Sequence, residues 1–163
     1  MQDKKQLFEE TINRHLNLVY KVASVYTTNA DDKNDLVQDI LYQAWKSFDS
    51  FRQESKISTW LYRVAMNVAI YQVKTRKRNI EAIPLTDQNS ELTEDNSNET
   101  EEQWQRILFY INRLNLLDKG IVLLFLENKS HEEIAEITGL SVSNVGTKLS
   151  RIKEKLRQQV TKS

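Results

Sequence analysis

Apolar residues recur along most of this chain at the three- and four-residue spacing of an amphipathic helix. Phe8, Ile12, Leu16 and Val19, continued by Ala23 and Tyr26, predict a first helix. Leu36, Ile40, Ala44 and Phe48 predict a second. Its start falls near Asp31-Asp32, whose carboxylates can accept from free backbone N–H groups. A third starts near Ser58 and runs towards Arg78, with Leu61, Val64, Ala65, Val68 and Gln72 on its core side. Four more are predicted between residues 105 and 160. Trp104, Ile107, Leu108, Ile111 and Leu114 mark the first of these, and Asp118 caps the second, through Ile121 to Leu126. Ser130 and Glu133 form a capping box for a short helix carrying Ile134, Ala135 and Ile137. Gly139 ends that helix in a left-handed turn, and Ser141 caps the last one, to about Gln158.

Composition agrees with an all-α chain. The 163 residues hold three Gly and one Pro, where average usage gives about 11 and 8. Turn-rich sandwiches and barrels are thereby disfavoured. The absence of Cys rules out a disulfide framework and fits a reducing compartment. Met1 to Lys5 leads into no apolar stretch, and the longest apolar run, Ile121 to Leu126, is too short to span a bilayer. A soluble, cytoplasmic protein is expected.

Charge divides the chain. Lys+Arg and Asp+Glu are equal at 23 each, yet eight acids and no base lie between Ile80 and Gln105. The same stretch holds Pro84, is rich in Asn, Ser and Thr, and shows little periodicity. It cannot bury enough apolar surface to offset the entropy of ordering. The reading is two small helical domains, 1–81 and 102–163, joined by a flexible acidic linker at 82–101. That linker is either a solvated spacer or a segment whose negative charge keeps it off nucleic acid or mimics it in a basic channel.

Three surfaces carry candidate chemistry. On the second helix Asp35, Gln38, Asp39, Tyr42 and Lys46 share the face opposite the core, serving solubility or a docking partner. On the third, Trp60, Arg63, Asn67, Tyr71, Lys74 and Arg78 share an arc about 80° wide, and the helix ends in Lys74, Arg76, Lys77 and Arg78. Aromatic rings stack on unpaired bases and cations track phosphates; the alternative is a solvated basic helix end with core aromatics. The polar loop from Phe51 to Ile57 has room for a base pocket.

The third surface is the most specific. Ala135, Gly139 and Val145 stand at offsets of four and ten, as a helix-turn-helix needs: a small residue for close crossing, a Gly for the turn, a branched apolar plug. On the last helix Val142, Val145, Leu149, Ile152 and Leu156 form the inward arc. Ser143, Asn144, Thr147, Arg151 and Lys155 lie across from it, with Lys148 at the margin. Asn144, Thr147 and Arg151 suit base edges, while Lys148, Lys153, Lys155 and Arg157 suit phosphates. Glu154 should face away, and Gly146 costs roughly 1 kcal/mol of helix propensity. His15 and His131 stand alone without metal-ligand spacing, and no phosphate-cradling Gly loop exists, so neither an enzyme nor a metal or other cofactor is expected.

Taken in order, these motifs resemble a known family. Asp35-Leu36-Val37-Gln38-Asp39-Ile40-Leu41 is similar to the core-polymerase-binding motif of bacterial sigma factors. Thr59-Trp60-Leu61-Tyr62-Arg63-Val64-Ala65-Met66-Asn67 is similar to their promoter-melting helix. Glu132 to Glu136, Gly139 to Ser141 and Val145 to Arg151 resemble their C-terminal helix-turn-helix. The length and order resemble the small extracytoplasmic-function (ECF) class of the sigma-70 family.

The resemblance implies roles. Asp35, Leu36, Gln38, Asp39 and Tyr42 would dock on core RNA polymerase, at the clamp helices of its beta-prime subunit. Trp60, Tyr62, Arg63, Asn67 and Tyr71, with Lys74, Arg76, Lys77 and Arg78, would open and hold the −10 element. Ser143, Asn144, Thr147, Lys148, Arg151 and Lys155 would bind the −35 element. The linker would thread near the polymerase cleft and RNA exit path. Partners are core RNA polymerase and promoter DNA, and an anti-sigma factor is a further expectation of the class that no residue marks. Met66, Gly146 and Leu117-Asp118 depart from the usual pattern. The rival reading is a stand-alone helix-turn-helix transcriptional regulator.

Overall fold

The computed structural model describes residues 3–51, 55–80 and 99–161, giving the backbone alone at 77–80, 99–101, 104, 107 and 159–161. Every regular element among the described residues is helical. In order they are α1 (Lys4–Tyr26), α2 (Ala30–Ser47), a 3₁₀ turn (Phe48–Ser50), α3 (Ile57–Ile80), α4 (Glu99–Ile111), α5 (Leu116–Leu126), α6 (His131–Thr138) and α7 (Val142–Thr161). The chain divides into two compact units, Met1–Arg78 and Asn79–Ser163. Of the expected linker at 82–101, residues up to 98 lie outside the described set, and 99–101 already belong to α4.

In the first unit α1 bends at His15, whose φ of −121° and ψ of 15° leave the helical region. The leading half is clasped to the end of α2. The Phe8 ring meets Trp45 and Phe48 edge-on at 5.2 and 5.3 Å. The Lys4 ammonium lies 4.2 Å from the Trp45 ring and 2.8 Å from the Asp49 carboxylate. The trailing half buries Leu18, Val19, Val22, Ala23 and Val25, a denser stripe than the spacing predicted. On α2, Leu36, Val37, Ile40 and Ala44 are buried as its core face.

The cap of α2 differs from expectation. Asn29, not Asp31 or Asp32, is the N-cap, its side-chain oxygen accepting from the Asp32 N–H at 2.8 Å. The same substitution of roles recurs at α5, where Asn115 caps by accepting from the Asp118 N–H at 2.9 Å. In both cases the acid sits in the first turn, where its charge favours the helix dipole, and the Asn three residues earlier supplies the capping oxygen.

The core face of α3 is also corrected. Leu61 and Ala65 are buried as expected, but their companions are Tyr62, Met66 and Ala69, while Val64 and Val68 are only half-buried. The buried arc is thus rotated by about 70° from the predicted one. Trp60, assigned to the exposed arc, is buried at 8% exposure, with Phe51 and Phe48 at 5.2 and 6.2 Å. Phe48 of the preceding 3₁₀ turn and Phe51 just after it cover Trp60 in the first turn of α3, which a wheel of α3 alone cannot register.

The second unit follows its sequence signals closely. α5 ends in a Schellman closure: Asn128 takes a positive φ of 63°, its N–H donates to Phe125 O, and the Lys129 N–H donates to Leu124 O. Ser130 accepts from the Glu133 N–H at 3.1 Å, the capping half of the expected box, and its hydroxyl also donates to the Glu133 carboxylate. Gly139 has φ 82°, and its N–H donates to Ala135 O at 2.8 Å. Ser141 accepts from the Asn144 N–H at 3.1 Å to start α7. Ile134, Ile137, Val145, Leu149 and Ile152 are buried where α6 and α7 meet, and α5 packs against both. Val142, placed on the inward arc by its periodicity, is instead 44% exposed as the first residue of α7.

Candidate nucleic-acid interface

In the first unit α2 and α3 leave an open groove of about 580 Å³. One wall carries Asp39, Tyr42 and Ser47 from α2; the other carries Val64, Asn67, Tyr71 and Arg76 from α3. The valines that periodicity assigned to the core therefore line this groove. Tyr42 and Tyr71 stand on it at 63% and 72% exposure. The Gln72 amide donates to the Asp39 carboxylate across the groove, tying α2 to α3.

The residues expected to dock a partner fall into two groups. Asp35, Gln38, Asp39 and Tyr42 are exposed together on one side of α2. Leu36 is fully buried and belongs to the core, so it supports that face from beneath and cannot touch a partner.

The −10 residues divide likewise. Arg63, Asn67, Tyr71, Lys74 and Arg76 are exposed along α3. Arg76 is already paired with Asp32 at 2.9 Å, joining the end of α3 to the start of α2. Trp60 and Tyr62, at 8% and 3% exposure, are corrected from strand-contacting rings to core packing. Their indole and phenol rings support the helix that presents Arg63 and Asn67. The side chains of Lys77 and Arg78 lie outside the described residues.

In the second unit a groove of about 830 Å³ runs along α7 from the start of α6. It brings Ser143, Thr147 and Arg151 together with Ser150, Glu154 and His131. Asn144 and Lys155 are exposed beside it. Glu154 was expected to face away and instead shares this groove, its carboxylate 3.4 Å from Arg157. Besides Arg157, two more cations expected to meet phosphates have internal partners. Lys148 lies 3.5 Å from Asp118, and Lys153 sits 4.2 Å over the Phe125 ring. Ser150 and His131 were missed by the sequence reading. Ser150 was legible, since its place on the helix wheel is beside Thr147. His131 reaches the groove from another helix and was not.

Hydroxyls, amides and an arginine exposed on the second helix of such a pair are the build of a helix-turn-helix nucleic-acid reader. Comparison with known proteins identifies the family. Residues 11–79 match the model of Sigma-70 region 2, and residues 104–156 that of Sigma-70 region 4. The chain is 30% identical to the RNA polymerase sigma factor SigV of Bacillus subtilis over 164 residues, 99% of this chain and 95% of that protein. It is also 30% identical to the ECF RNA polymerase sigma-E factor of Haemophilus influenzae over 171 residues, covering 98% and 90%.

Two solved structures share the fold. The sigma factor RpoE of Bartonella quintana, in complex with the anti-sigma factor NepR, superposes with a TM-score of 0.75 at 22% identity, covering 94% of this chain and 96% of that one. CnrH, in complex with the cytosolic domain of CnrY, superposes at 0.70 and 19% identity, covering 98% and 90%. The chain belongs to the sigma-70 family and is an RNA polymerase sigma factor of the ECF class. A stand-alone regulator would leave the region 2 match over residues 11–79 without a role.

Proposed function

We propose that this sigma factor binds core RNA polymerase through Asp35, Gln38, Asp39 and Tyr42, and holds the opened −10 strand with Arg63, Asn67, Tyr71 and Lys74. The −35 element is read by the face of α7 that carries Ser143, Asn144, Thr147 and Arg151. The protein performs no catalysis of its own: it places two DNA readers, and capturing a base as it leaves the stack offsets an unstacking cost of a few kcal/mol. The domains divide this work as 1–81 and 102–163, with 82–101 a tether whose acidity suits a basic channel of the polymerase. It acts in the cytoplasm, and an anti-sigma factor, of the kind bound to the Bartonella quintana relative, restrains it.

The observation that carries this reading is the α2–α3 groove. It sets Asp39 and Tyr42, on the docking face, beside Asn67 and Tyr71, on the strand-capturing face. Docking on polymerase and capture of an unpaired strand then draw on one rigid pair of helices.

In vitro transcription over a promoter library tests it. Core polymerase with this protein should initiate at promoters sharing −10 and −35 elements, and core alone should not. A pull-down in which core polymerase ignores the protein would overturn the reading.

A further inference from the structure

Gly146 is half-buried on the flank of α7, between its buried stripe and the face that carries Ser143, Thr147 and Arg151, at a step where a longer residue would project a side chain. Here it projects none. The space is occupied from another helix. A Cβ built at Gly146 would lie 3.7 Å from Nδ1 and 3.8 Å from Cε1 of His131, the first residue of α6. The imidazole therefore lies against α7 at the step where that helix lacks a side chain. It shares the groove with Ser143, Thr147, Ser150 and Arg151, and it is exposed.

We propose that His131 is a specificity-determining residue of the −35 reader, its imidazole contacting a base edge in place of the side chain that Gly146 lacks. This rests on the assignment of α7 as the reading helix. An imidazole offers a donor and an acceptor on a flat, rigid ring. The major-groove edges of guanine and adenine present acceptors and, for adenine, a donor. The groove around the ring carries no net positive charge to favour a phosphate over a base edge: Ser143, Thr147 and Ser150 are uncharged, and the cation Arg151 is matched by the anion Glu154. Glycine at 146 is what gives the ring room, since a long side chain there would claim the same volume.

The test uses holoenzyme assembled from core polymerase and the full chain, transcribing from a promoter library randomised across the −35 element. His131→Ala should flatten base preference at one position by about 5–10-fold, the discrimination of a single base hydrogen bond. Other positions should keep their preferences. His131→Gln, which retains a donor and an acceptor, should restore preference at that position. Arg151→Ala in the same assay should flatten a different position. An unchanged preference profile for His131→Ala, or an equal loss on every sequence, overturns the proposal while Arg151→Ala still shows its effect. If Arg151→Ala, Asn144→Ala and Thr147→Ala all leave the profile unchanged, the reading helix itself is misassigned.

Discussion

Arg151 is exposed on α7, in the groove that also holds Ser143 and Thr147. Arg151→Ala should cost about 1–3 kcal/mol of promoter binding and relax sequence choice if the guanidinium meets a base. Binding curves on matched and mismatched −35 duplexes measure this, and equal losses on both would make it a phosphate contact. Gly146 permits a second prediction. An alanine methyl there would meet the His131 ring at 3.7 Å, an ordinary contact. Gly146→Ala should therefore raise stability by about 1 kcal/mol, the propensity difference between the two residues in a helix interior. Thermal or urea unfolding reads it out, and a destabilised variant would mean that the ring cannot share its place. Both predictions depend on side chains whose surroundings come from two helices at once.

At the scale of elements, the caps decide where helices begin. Asn29→Ala removes the acceptor for the Asp32 N–H and should cost about 1 kcal/mol, seen as a lowered melting temperature. Asp32 also holds Arg76 at the end of α3, so loosening the start of α2 should be felt on both helices. Asp31-Asp32 and Asp118 marked the starts of α2 and α5 in the sequence, but the caps themselves, Asn29 and Asn115, were not read there. Either carboxylate or amide can accept the bond, and the phase of the first turn settles which does. The turn between α6 and α7 was legible down to Gly139, because only a residue tolerant of positive φ closes a helix there.

The buried side of α3 was not legible in the same way. Val64 and Val68 are as apolar as anything in the core, and Tyr62 and Met66 carry no stronger signal. What decides between them is where α2 lies and that it leaves a groove on the valine side. Trp60 is hidden by residues earlier in the chain for the same kind of reason. Hence most of the residues expected on the two faces are exposed, while three of them, Leu36, Trp60 and Tyr62, are buried beneath the rest.

For the whole molecule, the decisive interaction is with polymerase. Asp39→Arg reverses the charge at that position, cancels the negative charge of the proposed docking face and removes the Gln72 hydrogen bond. The variant should keep its helical circular-dichroism spectrum and fail to assemble holoenzyme on size-exclusion chromatography. If it still assembles, the docking face lies elsewhere. The internal engagement of its cations has a further consequence for how the protein responds to ionic strength. Arg76, Lys148 and Arg157 each face a carboxylate, and Lys153 covers an aromatic ring. A cation with a partner of its own displaces fewer condensed counterions from a duplex. Affinity for DNA falls with added salt by about 0.9 log unit per log unit for each phosphate neutralised. The slope that α7 contributes on a −35 duplex should therefore fall short of the number of basic residues along that helix. Removing Asp118 as Asp118→Asn should steepen it by freeing Lys148. Promoter affinity would thus vary less with ionic strength than a count of the protein's cations suggests.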